Sequence, residues 1–116
     1  MTTKVVNVKV AHIRPKYNNL KCWTEDPNNV YIGRGGIVFI DGERFPKKAS
    51  IWANPYKDKD RKLSLKKYEE YILDKIEKED LYDSLRELKG KNLGCWCKPE
   101  SCHGDVLVSI INEVFE

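Results

Sequence analysis

Short stretches of alternating or β-branched apolar residues predict the strands of this chain. Residues 5–10 place Val6, Val8 and Val10 on one face, which is typical of a half-buried strand. Residues 30–32 and 92–97 predict two further short strands. Between them, residues 37–45 carry Asp41-Gly42 at the centre, a pair that favours the type I′ turn of a β-hairpin.

Apolar residues at helical spacing predict three helices in the second half of the chain. Ser64 is expected to cap the first helix and Asp80 the second, which ends at Lys89-Gly90. The final helix follows the last strand. The predicted inner faces are Leu65, Tyr68, Ile72 and Ile76; Leu81, Leu85 and Leu88; and Leu107, Ile110, Ile111 and Val114.

The remaining segments show no regular period. Residues 11–29 predict a long loop rich in turn residues, residues 46–56 an irregular segment, and residues 57–62 a solvated, charged linker. This order of elements predicts an α/β (or α+β) fold in a single domain over residues 1–116. We expect a small three-layer-like arrangement with a short, mostly parallel sheet, an inserted β-hairpin and three helices. If the strands are parallel, the loops that follow them meet at one edge of the sheet.

Composition limits the classes of partner. Apolar residues make up 41% of the chain and charged residues 34%, which suits a well-solvated protein with one core. The net charge of +3 permits anionic ligands but does not by itself indicate a nucleic-acid-binding protein. No apolar run is long enough to span a membrane, and the first residues lack the apolar core of a signal peptide. The sequence therefore predicts a cytoplasmic protein with reduced thiols and no membrane partner.

The densest group of reactive side chains lies between residues 95 and 105. Cys95, Cys97, Cys102 and His103 are the ligand types of a structural zinc site, so zinc is the one cofactor that the sequence suggests. Their spacing fits poorly, because adjacent Cys-His ligands on one ion are geometrically awkward. The alternative for Cys95 and Cys97 is that they are small core residues, since free cysteine packs as a hydrophobic residue.

The residues at the start of the last helix are the candidates for catalysis. Cys102 is a candidate nucleophile, because the positive end of a helix dipole lowers the pKa of a thiol. His103 or Asp105 would act as the acid–base group, although Asp105 is also a natural helix cap. With Gly104 they open the helix at a terminus whose free N–H groups attract anions.

Two further loops contain candidate ligand-binding residues. Gly33-Arg34-Gly35 directly follows a predicted strand, where glycines permit close approach and Arg34 can grip a phosphate or carboxylate. As an alternative, this segment is a plain loop leading into the hairpin. Asn54 offers both a donor and an acceptor, as recognition of a base or ribose requires, but Asn54-Pro55 is also a common turn.

These segments together resemble the domain of unknown function 4326 family, which is found in phages, large DNA viruses, bacteria and some eukaryotes. The resemblance implies a place in the host cytoplasm if the protein is viral. The resemblance covers nearly the whole chain and is carried chiefly by Gly94-Cys95-Trp96-Cys97-Lys98-Pro99 and by Cys102-His103-Gly104-Asp105-Val106-Leu107. It implies no reaction, but it implies that the Gly-Arg-Gly, Asn-Pro and Cys-His-Gly-Asp segments share one site. Two departures are Ala53, where the family usually has glycine, and a longer insertion over residues 37–50.

Three functions fit these observations. The favoured one is binding, and in some form transformation, of a nucleotide-like or other phosphorylated small molecule in a pocket built by the three segments. The second is a zinc-stabilised module for nucleic acid or a protein partner, with nucleic acid the less favoured ligand. The third is a viral protein that sequesters the same small molecule without turnover, so the sequence leaves enzymatic activity open.

Overall fold

A parallel sheet and a separate hairpin contain the strands of the protein. The computed structural model describes residues 3–56, 59–96 and 102–115. In chain order the elements are β1 (Lys4–Asn7), α1 (Val10–Ile13), α2 (Leu20–Glu25), β2 (Asn29–Tyr31), β3 (Val38–Ile40), β4 (Glu43–Phe45), α3 (Arg61–Lys78), α4 (Tyr82–Glu87), β5 (Asn92–Cys95) and α5 (His103–Phe115).

The three-stranded sheet has the order β1-β5-β2, and both pairs of strands are parallel. In the central strand β5, Leu93 lies opposite Val5 on one side and opposite Val30 on the other. All three carboxyl ends therefore lie at one edge of the sheet, which confirms the predicted convergence of the loops. Gly94 allows close packing here, because a Cβ at this position would lie 2.6 Å from Val8 Cγ1.

The predicted hairpin is confirmed. Strands β3 and β4 pair in antiparallel fashion, with Val38 opposite Phe45 and Ile40 opposite Glu43. Asp41 and Gly42 form the connection with φ angles of 53° and 81°. Two consecutive residues with positive φ are the signature of a type I′ turn, which asparagine, aspartate and glycine tolerate best.

The start of α3 differs from the prediction. Asp60, not Ser64, caps this helix, and its carboxylate accepts the backbone N–H groups of Lys62 and Leu63. Ser64 is instead buried in the first turn. The helix therefore begins inside the segment expected to be a solvated linker, because an aspartate at residue 60 satisfies the free N–H groups one turn earlier.

The predicted cap of the next helix is also wrong. Asp80 adopts a left-handed conformation with φ of 51° just after α3 ends, and α4 begins after Leu81 without a side-chain cap. The predicted end of α4 is better supported, since Gly90 has a φ of 79°. Asp80 therefore terminates α3 and does not cap α4.

The loop predicted for residues 11–29 contains two short helices, so the described residues form five helices rather than the three expected. Strand β1 is correspondingly shorter than predicted and ends at Asn7. Asn19 caps α2 by accepting the Cys22 backbone N–H at 2.9 Å. Leu20 and Trp23 of α2 are buried. This one-turn spacing of apolar residues after a capping asparagine was the available sequence signal.

The sheet separates two groups of buried side chains, which gives the expected three layers. On one face Val5 packs with Tyr68, Ile72, Leu107 and Ile111 of α3 and α5. On the other face Val6 packs against the cluster formed by Val8, Ile13, Leu20 and Trp23. The predicted inner face of α5 is wrong at Val114, which is 46% exposed, whereas the neighbouring Phe115 packs against the core.

No helix within the described residues is both long and apolar enough to cross a membrane.

Candidate functional site

A cleft of about 650 Å³ opens at the carboxyl edge of the parallel sheet. One wall is the loop after β2 and another is the segment around Asn54 and Tyr56, together with the first turn of α3. The floor is formed by the end of β5 and the start of α5. The sheet topology thus brings together four segments that are far apart in sequence.

Most of the predicted site residues that the structure describes line this cleft. They are Gly33, Arg34, Asn54, Cys95, Cys102 and His103. The other described candidates, Gly35, Gly104 and Asp105, are not among the residues that line it. Cys97 lies outside the described residues, so the predicted metal role of this residue stays a prediction.

Arg34 joins two walls of the cleft. Its Nε and Nη2 atoms each donate to the Asn54 carbonyl oxygen at 3.3 Å, and Nη2 also donates to the Tyr56 carbonyl oxygen at 3.3 Å. Nη1 makes no hydrogen bond with the described residues. Arginine presents five N–H donors in a planar fork, so the Nη1 donors remain for a ligand while the others hold the loop.

Asn54 holds the backbone of its own segment. Its Oδ1 atom accepts the Tyr56 N–H at 2.9 Å, and its Nδ2 atom donates to Ser64 Oγ at 3.1 Å. The Ser64 hydroxyl in turn donates to the Tyr56 carbonyl oxygen at 3.4 Å. In this structure Asn54 therefore shapes the cleft wall, and its predicted direct contact with a ligand stays a prediction.

His103 is fixed by the backbone at the end of β2. Its Nε2 atom lies 2.7 Å from the Ile32 carbonyl oxygen, and its ring meets the Tyr68 ring edge-on with 5.2 Å between centroids. A carbonyl oxygen only accepts, so Nε2 carries the proton and Nδ1 of the neutral ring has the free lone pair. Burial lowers the pKa of His103, with a further contribution from the Arg34 charge, so the ring is neutral at pH 7.

Cys95 and Cys102 face each other in the floor of the cleft. Their Sγ atoms lie 3.0 Å apart and both side chains are buried. The contact with Cys95 and burial together raise the pKa of the Cys102 thiol, whereas its position at a helix start predicts a lower value. Cys102 is therefore a neutral thiol at pH 7, which does not favour the predicted nucleophile in this state.

Asp105 acts as a helix cap. Its Oδ2 atom accepts the Cys102 backbone N–H at 3.1 Å, while its own N–H donates to the Cys102 carbonyl oxygen at 3.0 Å. This reciprocal pair satisfies a free donor at the start of α5. The geometry matches the capping role that the sequence also allowed for Asp105, and its predicted acid–base role stays a prediction.

The described members of the proposed zinc set do not surround a common point. No group of three or more histidine, cysteine, aspartate and glutamate side chains suited to a metal occurs within residues 3–56, 59–96 and 102–115. Two thiolates on one tetrahedral zinc lie about 3.8 Å apart for Zn–S bonds of about 2.3 Å. The observed 3.0 Å is shorter, and His103 Nε2 is engaged by Ile32.

Several lining residues were missed by the sequence analysis. Lys59 and Arg61 line the cleft, although both were assigned to a solvated linker. Tyr56 also lines it, as does Trp96, which the sequence allowed as a core residue or a pocket wall. The Trp96 indole N–H donates to the Tyr31 hydroxyl at 2.8 Å, which fixes the ring. The available sequence signal was Asp60. Recognised as a helix cap, it places Arg61 at the first residue of α3 and Lys59 directly before the cap.

The loop after β1 reaches the same edge of the sheet but lines a second cavity. This cavity of about 560 Å³ is bordered by Lys9, Arg14 and Phe39, among others. Trp96 lines both cavities and therefore stands between them.

Comparison with known proteins identifies the family. The sequence model described as Domain of unknown function (DUF4326) matches residues 16–113. The chain belongs to the DUF4326 family. No solved structure matches it. Every described residue of this DUF4326 protein that lines the main cleft, from Gly33 to His103, falls inside the matched span.

Two viral proteins are similar to this DUF4326 chain. An uncharacterized 12.4 kDa protein in the nrdA-td intergenic region of Enterobacteria phage T4 is 32% identical over 73 residues, covering 60% of this chain and 67% of the relative. Uncharacterized protein R718 of Acanthamoeba polyphaga mimivirus is 34% identical over 93 residues, covering 71% of this chain and 65% of the relative. The chain thus spans about two thirds of the length of each of these curated relatives.

Proposed function

We propose that the protein binds a phosphorylated, ring-containing small molecule of the nucleotide class in the main cleft. The observation that carries this proposal is the charge of the lining. Three cationic side chains, Arg34, Lys59 and Arg61, line the cleft, and no carboxylate is among its described lining residues. A concave site lined by positive charges raises the local concentration of anionic ligands.

The size and the remaining lining support a nucleotide rather than a bare anion. A volume of about 650 Å³ lies within the range of roughly 300–1,000 Å³ that is usual for small-molecule sites. Trp96 and Tyr56 supply aromatic surface for a base, and the hydrogen bond to Tyr31 holds the indole in place. Arg34 Nη1 supplies charged N–H donors for a phosphate oxygen, because Nε and Nη2 are engaged by the Asn54 and Tyr56 carbonyl oxygens.

His103 is the group that would turn binding into chemistry. The neutral ring keeps a lone pair on Nδ1, and the Ile32 carbonyl oxygen fixes the tautomer. A neutral imidazole in this state accepts a proton from a bound ligand, as a general base does. Turnover of a bound nucleotide would mark the protein as an enzyme, whereas binding without turnover would mark a sequestering protein.

A thermal-shift panel tests the binding proposal. The ligands are purine and pyrimidine nucleoside 5′-monophosphates and diphosphates, ribose 5-phosphate, and the corresponding nucleosides. A ligand present at ten times its Kd stabilises the folded protein by about 1.4 kcal/mol, which raises Tm by roughly 5 °C. We expect such a rise with at least one nucleotide and a smaller rise with the matching nucleoside.

Lys59→Gln and Lys21→Gln are the paired variants. Lys59 lines the cleft, while Lys21 is exposed on α2 and outside the cleft lining. We expect Lys59→Gln to weaken nucleotide binding roughly three- to tenfold and Lys21→Gln to leave it unchanged. The proposal is wrong if no phosphorylated member raises Tm, or if nucleosides stabilise the protein as well as their phosphates do.

A further inference from the structure

Two thiols lie in direct contact where the central strand ends and the last helix starts. Cys95 is the last residue of β5, and Cys102 immediately precedes α5. Their sulfur atoms are 3.0 Å apart, each side chain is 1% exposed, and both line the cleft. The cleft is therefore the side from which this buried pair of thiols is approached.

We propose that Cys95 and Cys102 form a redox-active dithiol, which a small-molecule disulfide converts reversibly into an intramolecular disulfide. This inference is independent of the ligand proposed above. It concerns the pair alone, and it requires neither a metal nor a bound nucleotide.

The geometry favours bond formation between these two sulfurs. A disulfide has an S–S distance of about 2.05 Å, so the sulfurs need to approach by only about 1 Å. Holding two reacting groups in contact gives an effective concentration far above that of any thiol in solution. We therefore expect this pair to oxidise before any cysteine forms a stable mixed disulfide.

The elements that carry the two cysteines hold them in register. Strand β5 is paired on both sides, with Asn7 opposite Cys95 itself. The start of α5 is fixed by Gly104, at which a Cβ would lie 2.9 Å from Val5 Cγ1, and by the Asp105 carboxylate on the Cys102 N–H. Neither sulfur can move far from the other without disturbing the sheet or the helix start.

The reaction balances with one disulfide as oxidant. Because the Cys102 thiol is neutral at pH 7, the attacking group is the small deprotonated fraction of the pair. This thiolate attacks the small disulfide, which forms a mixed disulfide and releases one small thiol. The second cysteine then attacks the protein sulfur of the mixed disulfide, which forms the Cys95–Cys102 bond and releases a second small thiol. The protein loses two electrons and two protons, and both are recovered in the two released thiols.

The competing interpretation is a pair of inert core thiols, since buried cysteine is often only a small hydrophobic residue. The chain itself offers internal references. Cys22 is a free, half-buried thiol on α2, with no sulfur partner among the described residues, and Cys97 is close to Cys95 in sequence. A selective reaction of Cys95 with Cys102 separates a dithiol site from general thiol oxidation.

The experiment oxidises the native protein with glutathione disulfide, removes the oxidant, denatures the protein and labels the remaining thiols for intact-mass analysis. The reduced chain has four labelled cysteines. We expect the oxidised chain to lose two of the four labels, a digest to show a Cys95–Cys102 crosslink, and dithiothreitol to restore all four.

Cys22→Ser and Cys97→Ser are the matched controls. Both variants are expected to form the same crosslink and to lose two labels, and neither removes a sulfur of the pair. Retention of all labels in wild-type protein, adducts spread over single cysteines, or a crosslink through Cys97 would each overturn the proposal. Mapping on wild-type protein keeps the result decisive even if Cys102→Ser does not fold.

Discussion

At the scale of single residues, the surroundings of His103 determine its chemistry more than its residue type does. The imidazole is enclosed between Tyr68 and the Ile32 carbonyl oxygen, and Arg34 is close enough to disfavour the cationic form. The resulting low pKa keeps the ring neutral, with its proton on Nε2. A histidine in this state is an unprotonated but weakened base at neutral pH, and it cannot hold a phosphate as a cation.

The lowered pKa of His103 predicts a loss of stability in mild acid. Because the unfolded chain takes up a proton near the reference value of 6.5 and the folded chain resists it, falling pH favours unfolding. This stabilising contribution is complete above pH 6.5 and decreases as the pH falls from 6.5 toward the folded-state pKa. One group changes the free energy of unfolding by at most about 1.4 kcal/mol per pH unit.

Urea unfolding between pH 5 and 8 measures this effect. We expect His103→Gln to remove most of the change between pH 5 and 6.5, and His12→Gln, on the exposed face of α1, to preserve it. An identical pH dependence in wild type and His103→Gln would contradict the assigned pKa direction.

The sequence predicted which residues form the site better than it predicted what each of them does. Arg34, Cys102 and His103 could be assigned to one edge because each follows a strand, and parallel pairing then places them together. The role of Asn54 could not be predicted, because it depends on a hydrogen bond to Ser64. The sequence analysis placed Ser64 at the cap of α3, whereas in the structure Asp60 is the cap and Ser64 lies within the helix. The direction in which the pKa of Cys102 shifts depends on the neighbouring sulfur of Cys95, a contact that the sequence spacing alone does not predict.

At the scale of elements, the approach of α5 to the sheet determines the depth of the cleft floor. Gly104 lies in the first turn of α5, where a Cβ would be 2.9 Å from Val5 Cγ1 and 3.0 Å from Ile32 Cδ1. The helix start can therefore approach the strands closely only because this position has no side chain. Cys102 and His103 take their positions from that contact.

Gly104→Ala is expected to push α5 away from the sheet. Overpacking costs about 1–3 kcal/mol, which exceeds the gain in helix propensity of at most about 1 kcal/mol. We therefore expect a net loss of roughly 1 kcal/mol in the free energy of unfolding and weaker nucleotide binding. Ser109→Ala, on the exposed face of the same helix, provides the control and should not destabilise the protein.

Equal stability of Gly104→Ala and Ser109→Ala in urea unfolding would show that the contact between α5 and the sheet is not tight.

Among the elements, those with long apolar periods were predictable, such as α3 and α5. The short helices α1 and α2 were harder to predict, because one or two turns give only a weak signal. Their stability comes from packing Ile13 of α1 and Leu20 and Trp23 of α2 against the sheet.

At the scale of the whole molecule, parallel pairing turns distant segments into one site. The predicted α/β class and the hairpin are confirmed, and similar chains occur in a phage and in mimivirus. The cationic lining with aromatic walls appears only after folding, since Lys59, Arg61 and Trp96 carry no common motif in the sequence. Nucleotide binding in this cleft is therefore the claim that unites sequence, fold and charge.

Two-dimensional ¹⁵N–¹H NMR tests that claim most directly. Labelled protein is titrated with an equimolar mixture of the four ribonucleoside 5′-monophosphates, and then with each nucleotide alone. We predict saturable shifts at the Gly33 and Arg34 amides, the His103 amide and the Trp96 indole N–H, and weaker binding in Lys59→Gln. No saturable shift, or shifts confined to residues away from the cleft such as those of α4, would contradict the account.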